Sequence, residues 1–160
     1  MLATRFLLVA ALCVAPAFSV SWAAAPLVHK ADAVKVEGAW IRATVKGQSA
    51  TGGFMRLTAS QDLTLLGISS PAAADSQLHD MVMDGDVMRM REAAPLVLQA
   101  GQTVQLQPGP GHQHVMLMGL TRQLSAGDQV KLVLQLRSTD GKKFQQEVSV
   151  PVKTESGMHH

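Results

Sequence analysis

The sequence predicts a single all-β domain built as a sandwich or barrel of short strands. Three observations carry that expectation. Beyond residue 33 apolar residues recur with a period of two, and Gly, Pro, Ser and Asp interrupt the pattern at short intervals. No window sustains the 3.6-residue periodicity of a long helix. The chain has 160 residues, enough to bury one core, and neither a linker nor an internal repeat divides it.

Val34, Val36 and the run Gly38-Ala39-Trp40-Ile41 mark a first strand, and residues 47–53 a loop. Alternation from Phe54 to Ala59 marks the next strand, and 63–68 another, stopped by Ser69-Ser70-Pro71. Residues 72–75 are too short for a helix. Strands are expected at 103–106, 115–120 and 130–136, and Asp140-Gly141 signals a tight turn into 144–152. About seven to nine strands result, in a domain spanning 33–153 with a polar tail at 154–160.

The N-terminus reads as an export signal over residues 1–24. Arg5 precedes an uncharged apolar stretch at 6–14, and small residues lead on to Ala23-Ala24-Ala25. That stretch falls far short of the ~20 residues needed to cross a bilayer, so no stable membrane insertion is expected. In a Gram-negative source the mature chain would be periplasmic. The only cysteine, Cys13, leaves with the leader, which excludes a disulfide scaffold, a cysteine zinc site and a blue-copper centre from the mature chain. A net charge of +2 without any Lys or Arg run excludes a nucleic-acid footprint.

Nine methionines remain to be explained, and six fall in two windows. The first runs from Leu78 to Arg91 around Asp84-Gly85, the dipeptide favoured at the centre of a two-residue hairpin loop. On that register Met83 faces Asp86, Met81 faces Met88, and His79 faces Met90, close enough to share one ion. The second window is His114-Val115-Met116-Leu117-Met118, where His114, Met116 and Met118 share one strand face. Two imidazoles and two thioethers form a soft, neutral donor set, which prefers Cu(I) to hard cations and to zinc. The candidate ligands are therefore His79, Met90, His114 and Met116. Met81, Met83, Met88 and Met118 flank them as hydrophobic shell or secondary ligands. His112 reads as a loop histidine, and His29 as solvated. The terminal Met158, His159 and His160 offer a possible secondary site for Cu(II). No nucleophile–base pair, phosphate-cradling glycine loop or carboxylate pair points to catalysis.

These residues resemble the PCu(A)C family of periplasmic copper chaperones. The family pattern is a His, ten residues, a Met, about twenty-one residues, then His-x-Met. His79 and Met90 match its first half with the spacing intact, and His114-Val115-Met116 its last part. Ala39-Trp40-Ile41-Arg42-Ala43 is similar to the family's early strand, so the likeness covers roughly 34–152. The segment between Met90 and His114 is two residues longer than the pattern, within 108–113, and places His112 at the unmodified spacing. His114 heads the His-x-Met unit and keeps the assignment. The resemblance implies a cupredoxin-like Greek-key β-sandwich or barrel binding Cu(I) through two His and two Met near the surface. It also implies delivery of copper toward the CuA centre of cytochrome c oxidase, alongside Sco-type proteins. Rival readings are periplasmic copper sequestration through the same site, a copper redox enzyme, and a β-sandwich interaction module with Met-rich strands.

Overall fold

Alternation is purest near the C-terminus, where apolar and polar residues change places at almost every step. There, strands β9 (Gln129–Ser138) and β10 (Lys143–Lys153) form an antiparallel hairpin in the computed structural model, which describes residues 33–154. Val130, Leu132, Leu134 and Leu136 turn inward with Phe144, Val150 and Val152, all buried, while Lys131, Gln135 and Arg137 stay on the outer face. Gly141 closes the connection at φ +83, as the tight turn requires.

The remaining strands are β1 (Val34–Arg42), β2 (Ala50–Ala59), β3 (Leu63–Ser69), β4 (Ala73–Asp84), β5 (Val87–Glu92), β6 (Leu96–Leu98), β7 (Thr103–Leu106) and β8 (Gln113–Leu120). The described residues thus hold ten strands and no helix, so the all-β expectation stands. The expected strand count falls short because Leu96–Leu98 adds a short strand outside every window read as β. Of residues 72–75, all but Ala72 belong to β4 itself. The proposed leader 1–24 and the tail residues Met158, His159 and His160 lie outside the described residues.

Hydrogen bonds link the strands in the order β5-β4-β8-β7-β2-β1-β10-β9-β3-β6, with β8 also pairing β2. Both halves of this order contribute to one core, which includes Ile41, Leu57, Leu65, Leu117, Leu134 and Val150. The two halves meet at a short parallel contact, Ile41 with Val152 and Arg42 with Lys153. Buried Gln146 reinforces that join. Its amide accepts from the Val34 N–H at 2.9 Å and donates to the Val34 carbonyl at 2.6 Å, satisfying two buried backbone groups at once.

Strand β1 carries an irregularity that reverses which of its faces points inward. Pairing with β2 advances by three residues on β1, from Glu37 to Trp40, against two on β2, from Arg56 to Phe54. Gly38 takes the left-handed conformation at φ +59 that such a bulge requires. The inward phase therefore switches from even positions (Val34) to odd (Ile41), and Trp40 turns to the outer face beside Phe54.

The β4–β5 hairpin corrects the expected register. Asp84 pairs with Val87, so the loop is Gly85-Asp86 rather than Asp84-Gly85. Gly85 occupies the first loop position at φ +61, the place where the primed hairpin turns want a glycine. Asp84 instead ends its strand, its carboxylate 2.8 Å from the Arg89 guanidinium. As a result Met83 faces Met88, Met81 faces Met90, and His79 faces Glu92. Each strand has moved by one residue in the pairing, which keeps all the methionines on the His79 face and makes Met90 a diagonal neighbour of His79.

Candidate metal centre

Strand β4 lies between β5 and β8, and this places the two predicted windows side by side. His79 pairs directly with His114, and Gln77 with Met116. The two imidazole rings meet edge to face with centroids 6.1 Å apart. On β8, Val115 and Leu117 turn into the core at 0 % exposure, which leaves His114, Met116 and Met118 on the outer face. Met90, His114 and Met116 line one cleft of about 190 Å³, together with Met81, Phe54, Gly52 and Arg42. His79, the fourth predicted ligand, does not line that cleft and stands behind His114, on the neighbouring strand. Met118 sits further along, opposite Asp75, and does not line the cleft.

His114 is only 4 % exposed although it stands on the outer face. Phe54 covers it at 6.1 Å between ring centroids, and Trp40 packs on Phe54 at 4.6 Å. Gly52 permits this arrangement, since a Cβ there would come within 2.9 Å of the Phe54 ring. The Arg42 guanidinium lies 5.7 Å from the centre of the same ring.

The unsatisfied atoms are informative. Among the described residues, Nδ1 of His79 and Nδ1 of His114 are both buried without a hydrogen-bond partner. A buried polar atom without a partner is costly, and these two sit on paired histidines. The His79 tautomer can be traced through its neighbours. The Gln77 amide nitrogen donates to the Asp75 carboxylate at 2.9 Å, which leaves the Gln77 oxygen to accept from His79 Nε2 at 2.9 Å. In the neutral ring this places the proton on Nε2 and leaves a lone pair on Nδ1. A soft cation fits this donor set. Among the described residues no group of three or more His, Cys, Asp or Glu is placed to hold a metal, so two imidazoles here would need thioethers to complete a shell.

Burial holds the His114 pKa below its ordinary value of 6.5, and the charges of His79 and Arg42 act in the same direction against a weaker pull from Asp80. His114 is therefore neutral at neutral pH, as a ligand must be. Because its pKa is lowered on folding, the unfolded chain takes up this proton first. The associated stability is complete above 6.5 and is lost as pH falls through the lowered value. Thermal melts of the metal-free protein between pH ~7 and ~5 should show a smaller acid loss in His114→Gln than in the wild type. Equal slopes would contradict this assignment.

The LpqE-like family model matches residues 34–152. The chain belongs to the LpqE-like family. A relative named lipoprotein Lxx21020, from Leifsonia xyli subsp. xyli, is 38 % identical over 129 residues, covering 80 % of this chain and 74 % of its own length. CuI-DR1885 from Deinococcus radiodurans, solved in solution, is 32 % identical with a TM-score of 0.53 and covers 74 % of this chain and 76 % of its own. The copper-bound PCuAC domain from PmoF2 shares the fold at a TM-score of 0.57 and 19 % identity, covering 76 % of this chain and 93 % of that one. The LpqE-like chain therefore has the cupredoxin-like β fold of PCuAC domains.

Two features of this LpqE-like domain settle how the longer spacing before His114 is accommodated. Gly109 and Gly111 adopt φ +114 and +75, and the Gly111 N–H donates to the Met81 carbonyl at 2.8 Å, so the extra residues are absorbed in a turn. His112 is exposed on that turn, its Nε2 within 2.9 Å of the Gln107 amide nitrogen, and it does not line the cleft. Sequence reasoning missed Asp75 and Gln77, although the i, i+2 spacing of Gln77 and His79 would have placed them on one strand face. Gln77→Leu is expected to weaken Cu(I) binding about 10- to 100-fold by releasing the His79 ring, as measured by competition with a Cu(I) chelator. An unchanged affinity would remove Gln77 from the site.

Proposed function

We propose that the chain is an exported Cu(I) carrier that holds the ion through His79, Met90, His114 and Met116 and gives it up by ligand exchange. The observation that carries this reading is the pair of buried, unpartnered Nδ1 atoms beside a thioether-lined cleft. Two neutral imidazoles and two thioethers stabilise a soft monovalent ion without adding charge. Because Met90 is 56 % exposed, an incoming ligand has a way to the ion. A partner's cysteine thiols, shedding their protons to water, displace the thioethers stepwise while copper stays Cu(I). No bond in a substrate is made or broken, so the reading is a carrier rather than an enzyme.

The copper-bound relatives and the lipoprotein relative support this reading, including export. The resemblance of the His79–Met90 and His114–Met116 spacing extends it to delivery toward the CuA centre of cytochrome c oxidase, directly or through Sco-type proteins. Titration of the mature protein with Cu(I) under reducing conditions should give one tight equivalent, with nitrogen and sulfur neighbours in X-ray absorption. Absence of sulfur scattering would overturn the ligand set. Transfer of that equivalent to an apo-CuA domain supports delivery, whereas retention in its presence favours sequestration.

A further inference from the structure

The hairpin of β4 and β5 carries more sulfur than the proposed centre uses. Methionines kept for packing are buried, as Met55 is here at 3 % exposure. Met83 and Met88 are 48 % and 47 % exposed, so packing does not account for them. Four of the six large apolar side chains exposed among the described residues lie on this hairpin: Met83, Val87, Met88 and Met90.

Their order on the hairpin gives them a chemical reading. Met83 pairs with Met88 and Met81 with Met90, which makes two rungs of paired thioethers on one face. The loop closes on Asp84 and Val87, and a two-residue loop closes on a hydrogen-bonded pair. Both methionine rungs then fall at non-hydrogen-bonded positions, where opposed side chains approach most closely. The inner rung lines the cleft, and the outer rung lies two residues further out, about 7 Å along the strand. On the opposite face Asp84 and Arg89 pair at 2.8 Å, and on the methionine face the charged Glu92 stands opposite His79, beyond the inner rung.

We propose that Met83 and Met88 form a second soft-metal site, where Cu(I) enters and leaves the protein before passing over Met81 and Met90 into the cleft. The proposal rests on the copper-carrier reading above. Two thioethers without an imidazole bind more weakly than the cleft donors, so the ion moves inward on loading and outward only when an acceptor drains the tip. Neither the ion's charge nor its oxidation state changes along the way.

The test uses the mature protein with ¹³C-methyl-labelled methionine and Ag(I), a soft monovalent probe that resists oxidation. The first equivalent should shift the Met90 and Met116 methyl signals, and a second should shift those of Met83 and Met88. Leucine at both outer positions (M83L/M88L) should abolish the second equivalent, leave the first intact, and slow release of Ag(I) to a competing dithiol. Outer methyl signals that stay still while Met90 and Met116 shift would overturn the second site alone. Unmoved Met90 and Met116 signals would overturn the proposed centre, whatever the outer rung does.

Discussion

Replacing Met90 and Met116 together by leucine is expected to abolish tight Cu(I) binding while leaving the fold standing. Leucine matches methionine in volume but offers no donor atom, and such exchanges cost less than about 1.5 kcal/mol even in a core. Met90 is 56 % exposed and Met116 only partly buried, so the cost here falls below that ceiling. The effect on binding is large by comparison. Losing an outer partner of a metal ligand already costs about 10- to 100-fold in affinity, and losing two ligands outright exceeds the upper end of that range. Chelator competition measures the affinity, and a thermal melt of the same preparation checks the fold. Affinity within a few-fold of wild type would remove both thioethers from the centre.

Leu117→Ala should do the reverse. Leu117 sits between Met116 and Met118 but faces the core at 0 % exposure. Cutting it to alanine removes apolar contact and leaves a cavity, at a cost of about 3–5 kcal/mol. For a domain of this size that is a fall of roughly 10–20 °C in melting temperature. Below the new transition the outer face should still bind Cu(I), because His114 and Met116 keep their strand. Denaturant titration gives the stability, and a loss under about 1 kcal/mol would mean that the site collapses around the gap. The two variants together separate the inner face of β8 from its outer one.

The range of each interaction decides how much of it the sequence reveals. The outward set His114, Met116 and Met118 was legible because β8 alternates from His114 to Met118. The register of the β4–β5 hairpin was legible only as to face. Asp84-Gly85 fits a two-residue loop in either of two positions, and the choice depends on which residue takes positive φ. The direct pairing of His79 with His114 joins strands whose loops have no fixed length rule, so no local pattern announces it. The far wall of the cleft was hidden for a further reason. Trp40 and Phe54 reach the outer face only because a bulge at Gly38 reverses the phase of β1 and because β2 crosses to β8. The early Ala-Trp-Ile-Arg motif and the His-x-Met motif are read separately along the chain, and they meet in one cleft.

The parallel contact between β1 and β10 also orients the domain in space. The strands begin at Val34, beside Gln146, and end at Lys153, beside Arg42, which itself lines the cleft. These two points are thus separated by the length of β1, about 26 Å at the usual rise of a strand. An attachment through the segment before Val34 would grip the domain at its far pole and leave the cleft pointing away from whatever holds it. The last described residues, Lys153 and Thr154, lie on the cleft's own side, next to Arg42.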